Sequence, residues 1–172
     1  KYRRDAKIRS SIKTPNIMHQ KILIIGANGF TGRRILDTLA DKTEYEVIGC
    51  SLHANIHPHA DCNYRFVEAD IRDDAAVRHL FDELRPNVII NTSALSSPDY
   101  CENHYKETDE TNIHAAARLA RNCERLGSRL IHLSTDFVFD GDSNRLYTEE
   151  DTPAPVNYYG RSKWESERQV AR

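Results

Sequence analysis

The aliphatic run Ile22-Leu23-Ile24-Ile25 leads straight into a stretch with a glycine at every third position, Gly26, Gly29 and Gly32. Four apolar residues without polar alternation suit a central parallel strand covered on both faces. From residue 31 to residue 39 the pattern changes to helical spacing, so the glycines fall where a strand turns into a helix. Residues 46–51 and 64–70 are β-rich and bounded by polar loops, which predicts a second and a third strand. Residues 73–84 set Val77, Leu80, Phe81 and Leu84 on one stripe of an amphipathic helix. A fourth strand is predicted over 87–94, apolar at its start and small and polar at its end. Residues 99–126 are mostly helical in pattern, with Ile113, Ala116, Ala117, Leu119 and Ala120 as the packing stripe and Gly127 as the C-cap. Residues 129–135 make a fifth strand, and Asn157 opens a last helix. Five strands alternating with helices predict the α/β class, with a doubly wound parallel sheet.

The glycines add chemistry to this outline. Without Cβ atoms the turn lets its backbone approach a pyrophosphate, and the free N–H groups and positive pole of the new helix face the anion. A dinucleotide is the natural ligand, although Gly-x-x-Gly-x-x-Gly is a variant of the commoner Gly-x-Gly-x-x-Gly fingerprint. NAD-selective domains carry an acidic residue at the end of the second strand, on the ribose 2′-hydroxyl. Here those positions are Cys50, Ser51, Leu52 and His53. No carboxylate repels a 2′-phosphate, and His53, Arg33 or Arg34 supplies positive charge, so NADP(H) is slightly preferred over NAD(H). Asp70, closing the third strand, suits a hydrogen bond to an adenine amino group and equally suits the N-cap of the next helix.

At 172 residues and 39% hydrophobic content the chain has the size of one domain with an ordinary core. A net charge of −2, with acids and bases mixed, points to small-molecule partners rather than nucleic acid. No apolar run nears the ~20 residues that span a bilayer and no hydrophobic signal core is visible, so no membrane association and a cytoplasmic location are expected. Cys50, Cys62, Cys101 and Cys123 form no Cys-x-x-Cys pair, which speaks for reduced thiols. Cys50, His53, His57, His59 and Cys62 lie close in sequence but match no common ligand spacing; a polar loop is expected there and no metal. Residues 1–17, basic and aperiodic, precede the sole methionine, Met18. They read as a disordered extension or tag before a domain over 18–172.

Tyr159 and Lys163 lie four apart near the start of the last helix and share one face. A phenol of reference pKa ~10 is a poor acid at neutrality, but a neighbouring ammonium stabilises its phenolate. Tyr159 is then suited to give a proton to a carbonyl oxygen as hydride reaches its carbon. Thr135, at the end of the fifth strand, is placed to hold the same oxygen.

Several segments carry a resemblance: Gly26-Ala27-Asn28-Gly29-Phe30-Thr31-Gly32, Asn91-Thr92-Ser93-Ala94 and Asp99-Tyr100-Cys101-Glu102. So do Leu133-Ser134-Thr135-Asp136-Phe137-Val138-Phe139-Asp140-Gly141 and the Glu149-Glu150-Asp151 and Pro153-Ala154-Pro155 elements that lead to Tyr159 and Lys163. From about residue 20 to its end the chain resembles the extended short-chain dehydrogenase/reductases, most closely the dTDP-4-dehydrorhamnose reductase group. The resemblance implies a Rossmann fold and hydride transfer from NADPH or NADH to the 4-keto group of a nucleotide-linked deoxysugar. It implies Thr135, Tyr159 and Lys163 as the catalytic set, with Lys163 also reaching the nicotinamide ribose. The cofactor candidates are Gly26, Asn28, Gly29, Phe30, Thr31 and Gly32 in the turn, with Ser51, His53, Asp70 and Ile71 after the next two strands. Thr92, Ser93 and Ala94 after the fourth strand, Asn112, Tyr159 and Lys163 complete them. Asn112 matches a helix asparagine that holds local structure and water near the site. A nucleotide sugar is the implied small-molecule partner, and a homodimer the candidate assembly.

Two other functions share these residues. One is a non-catalytic NADP-binding regulatory subunit, because the resembling group includes the β-subunit of methionine adenosyltransferase with the same Glu-Glu-Asp and Pro-Ala-Pro features. The other is a nucleotide-sugar epimerase; a dehydratase fits less well, since Asp136-Phe137 lacks the Asp-Glu pair used for elimination. Family members continue for roughly another hundred residues, within the size a single large domain reaches, so the sheet is expected to be truncated after about five strands. The fifth strand is then an open edge, and the missing part would supply most of the sugar pocket, so the truncated chain is expected to turn over poorly by itself.

Overall fold

A computed structural model describes residues 20–56 and 63–172. Its sheet has five parallel strands, β1 (Gln20–Ile25), β2 (Tyr45–Ser51), β3 (Arg65–Glu68), β4 (Val88–Asn91) and β5 (Arg129–His132), in the order β3-β2-β1-β4-β5. Helices α1 (Phe30–Ala40), α2 (Asp74–Leu84), α3 (Pro98–Asn103), α4 (Tyr105–Thr108), α5 (Ala115–Leu126) and α6 (Tyr158–Val170) flank it, giving the doubly wound, Rossmann-like fold expected. Strand order reverses between β1 and β4, and in such a sheet the crevice beyond the carboxyl ends at that point is where ligands bind. Register lines up those ends in one row: Ile25 stands opposite Cys50 on one side and Asn91 on the other, and Asn91 opposite His132.

The aliphatic run of β1 feeds two cores. Leu23 and Ile25 pack with Ile48, Val77, Phe81, Ile89 and Leu119 under α2 and α5. Ile22 and Ile24 pack with Ala27, Leu36 and Val47 under α1. Covered on both faces, β1 has no solvent side, and this is why its sequence shows no alternation.

Four segments differ from the sequence pattern. The strand predicted over 64–70 pairs only through 65–68, and those over 87–94 and 129–135 end at Asn91 and His132. Residues 92–94 and 133–135 therefore lie beyond the sheet, where short polar side chains belong to a crevice. The helix predicted over 99–126 is broken. Ser97 caps α3 with Pro98 in its first turn, His104 leaves helical geometry (φ −136°, ψ 54°), and residues 109–114 wind as a π-helix before α5 ends at Gly127 in the left-handed conformation. A π-turn adds a residue per turn and rotates its side chains relative to the α-helix that follows; it carries the buried Asn112. Cys50, Cys101 and Cys123 are free and buried, with burial pushing the Cys50 thiol up to about 12. Residues 1–17, His57, His59 and Cys62 lie outside the described residues.

Candidate active site

Helix α1 begins with Gly29 at its N-cap, so no side chain closes the amide donors of its first turn. Three of the other helices are treated differently: Asp73 caps α2, Ser97 caps α3 and Asn157 caps α6 through side-chain oxygens. The first turn of α1 also carries no acid. A bare positive helix pole at a cleft fits the pyrophosphate of a dinucleotide. Gly26 has φ 82°, and a Cβ on Gly32 would run into the Gly26 carbonyl oxygen, so strand, turn and helix meet at contacts only glycine permits.

Two adjoining hollows follow this turn. One, of about 370 Å³, is lined by Gly26, Asn28, Gly29, Ser51, His53, Asp70, Ile71, Thr92, Ser93 and Ala94. The other, of about 300 Å³, shares Gly29, Thr92 and Ala94 and adds Phe30, Thr31, Gly32, Tyr159 and Lys163. Glycine turn and Tyr-Lys pair, more than a hundred residues apart, thus face one cleft.

Within the larger hollow Asn28 acts mostly on the protein itself. Its Nδ2 donates to the carbonyls of His53 (3.1 Å) and Ala54 (2.9 Å), and its backbone N–H donates to Ser51 Oγ at 2.9 Å. These bonds clip the loop after β2 to the glycine turn and hold His53 at the cleft. Neither Arg33 nor Arg34 lines the hollow; Arg33 is paired with Asp37 along α1. Asp70 accepts from the backbone N–H of Arg72 at 2.9 Å and from its guanidinium, which holds the carboxyl below its usual range. The N-cap of α2 is Asp73 instead, one residue before the helix.

Asn112 lines neither hollow. Its Oδ1 accepts from Leu95 N–H at 2.8 Å, and its Nδ2 donates to the Leu95 carbonyl (3.0 Å) and Ser162 Oγ (2.9 Å). Ser162 Oγ in turn donates to the Tyr159 carbonyl at 2.7 Å. The π-turn asparagine therefore ties the loop after β4 to the helical turn bearing Tyr159.

Lys163 is 3% exposed, and its Nζ donates to the Leu133 carbonyl at 2.7 Å. Burial lowers its pKa to about 8, against the opposing pull of Glu167. Tyr159 is buried with its ring edge-on to Phe137, centroids 5.7 Å apart. Gly160 beside it packs so closely that a Cβ would collide with the Phe137 carbonyl oxygen. Thr135 stands just past the lining, where Leu133 and Ser134 are found instead. Its Oγ1 donates to Asp136 and accepts from Phe137 N–H, capping the 3₁₀ turn Asp136–Val138.

Sequence reasoning passed over Ser96 and Ser134 in the lining, and Asn91 and His132 behind Lys163. The only signal for the last two was a polar residue closing an otherwise apolar strand.

The RmlD substrate binding domain model matches residues 20–172. Methionine adenosyltransferase 2 subunit beta of Bos taurus is 34% identical over 155 residues, 90% of this chain and 44% of that protein. The dTDP-4-dehydrorhamnose reductase of Aggregatibacter actinomycetemcomitans is 35% identical over 148 residues, 86% of this chain and 46% of that one. The crystal structure of dTDP-4-dehydrorhamnose reductase from Bacillus anthracis in complex with NADP superposes with a TM-score of 0.76 at 29% identity, covering 90% of this chain and 50% of that one. The chain spans about half the length of the relatives it matches.

Proposed function

The chain belongs to the RmlD substrate binding domain family, and we propose that it is the cofactor-binding part of an NAD(P)H-dependent reductase acting on the 4-keto group of a nucleotide-linked deoxysugar. The observation that carries this reading is the shared cleft of the glycine turn, Tyr159 and Lys163. Bound there, a nicotinamide dinucleotide would supply hydride to a carbonyl carbon. The first-turn amides of Phe30, Thr31 and Gly32 would hold its pyrophosphate, and Ser51 and His53 would lie toward its adenosine ribose, where His53 and the lack of a carboxylate would favour NADP(H). Tyr159 gives its phenolic proton to the carbonyl oxygen as the alkoxide forms. Lys163, held by Leu133, presents its remaining ammonium protons to the cleft. Thr135, next to the lining residue Ser134, supports the same oxygen once released from Asp136. Among the described residues no helix is long and apolar enough to cross a membrane, and we assign the work to the cytoplasm.

A second reading is a non-catalytic NADP-binding subunit, supported by the 34% identity to methionine adenosyltransferase 2 subunit beta. Tyr159→Phe separates the two. In the reductase, turnover falls at least 100-fold while cofactor affinity stays within a factor of about two; in a binding subunit no turnover exists to lose. Unchanged turnover in the variant overturns the role given to Tyr159.

A further inference from the structure

Behind Lys163 runs a partly buried line of hydrogen bonds that joins the carboxyl ends of β4 and β5 to α6. It begins at Ser93, whose Oγ and backbone N–H both donate to Asn91 Oδ1, at 2.7 and 3.1 Å. A backbone N–H only donates, so this atom of Asn91 is the amide oxygen, and the amide nitrogen faces His132 Nδ1 at 3.0 Å. Nδ1 must then accept, and the neutral ring carries its proton on Nε2. Nε2 lies 3.0 Å from Ser166 Oγ, and Ser166 uses its own proton on the Lys163 carbonyl at 2.7 Å, so it accepts from the ring. Each link therefore donates in the same direction, from Ser93 through Asn91, His132 and Ser166 to the backbone of Lys163.

This polarity bears on the ammonium of Lys163, 3.3 Å from His132 Nε2. A nitrogen whose proton already points at Ser166 offers no lone pair to a lysine. We propose that His132 is a positioning residue for Lys163: locked by Asn91 and Ser166 as the Nε2–H tautomer, it refuses the ammonium an acceptor behind the sheet. The ammonium protons are left to the Leu133 carbonyl and the cleft. The inference deepens the reductase reading, since it matters to catalysis only if Lys163 acts there. Burial and the neighbouring Lys163 charge act together to lower the His132 pKa to about 4. The other titratable groups near Lys163 are Glu167 and Tyr159, both on α6 itself; β5 contributes His132, and the cleft-lining residues of α1 and the loop after β4 contribute none.

Nitrogen-15 NMR of the histidine side chains in the folded chain tests the assignment without any turnover. His132 is expected to show a protonated Nε2 and bare Nδ1, and to stay neutral down to about pH 4. A protonated Nδ1, or titration near the ordinary histidine value, overturns it. His132→Gln puts a carbonyl acceptor within reach of the ammonium, and side-chain NMR should show the affinity of Lys163 for its proton rising about tenfold. His132→Phe, which offers no acceptor, should produce no such rise. Equal affinities in the wild type and His132→Gln would also overturn the proposal. All of these readouts hold whether or not the protein reduces a sugar, so a failed reductase assay and a failed positioning role are distinguishable.

Discussion

Lys163 Nζ donates a hydrogen bond to the carbonyl oxygen of Leu133 at 2.7 Å, and this bond fixes the last helix against the end of the fifth strand. Because the ammonium is anchored by one proton and nearly excluded from water, its charge is costly to the fold. Lysine free in an unfolded chain titrates near 10.5, whereas here it does so at about 8. Below about pH 8 both states are charged and the desolvation penalty is fully felt. Between about 8 and 10.5 the unfolded chain binds the proton and the folded chain does not, so stability rises with pH in that window. Urea denaturation of the wild type should show this rise, at up to ~1.4 kcal/mol per pH unit from this group. Lys163→Met should lack that contribution.

Gly32→Ala should disturb both fold and cofactor site, because its methyl group would press on the Gly26 carbonyl and lie 2.7 Å from Thr92 Oγ1. Overpacking of this kind costs about 1–3 kcal/mol. A lowered Tm together with at least tenfold weaker NADPH binding by calorimetry is the expected result.

Asn112→Ala takes the side-chain partner from Leu95 N–H and the Leu95 carbonyl and removes the bond that Ser162 Oγ accepts, while Ser162 keeps its donation to the Tyr159 carbonyl. Stranded buried polar groups cost about 1–3 kcal/mol, which chemical denaturation should report. Loosening the Ser162 turn that carries Tyr159 should also lower turnover more than it weakens NADPH binding.

His53→Asp places a carboxylate at the end of the second strand, where a 2′-phosphate would be read. NADPH affinity should fall by roughly tenfold or more, about 1.4 kcal/mol, while NADH affinity holds or improves. Direct titration of both cofactors against both proteins checks this.

Much of this architecture was legible in the sequence. The run 22–25 announces a strand buried on both faces, and the glycines mark the tight turn from strand to helix, because both depend on local patterns of apolarity and missing Cβ atoms. Strand ends were overextended at 92–94 and 133–135, since Thr92, Ser93 and Ser134 line the crevice and carry no pattern of their own. The π-turn around Asn112 was hidden because the bonds of that residue run to Leu95 and to Ser162 on α6, 17 and 50 residues away. His132 was passed over for the same reason: its meaning comes from Asn91 across the sheet and Ser166 on α6, 41 and 34 residues away. Tyr159 and Lys163 were visible as a pair, but that they share a cleft with Gly29 is a property of the fold.

Transfer of a labelled hydride tests the central claim most directly. Supplied with NADPH deuterated at the transferable position and dTDP-4-dehydrorhamnose, the full-length protein should yield a product carrying deuterium at C4. The Tyr159→Phe variant should form it at least 100-fold more slowly. Saturable NADPH binding with no deuterium in the sugar would contradict the reductase account and leave the binding-subunit reading in its place.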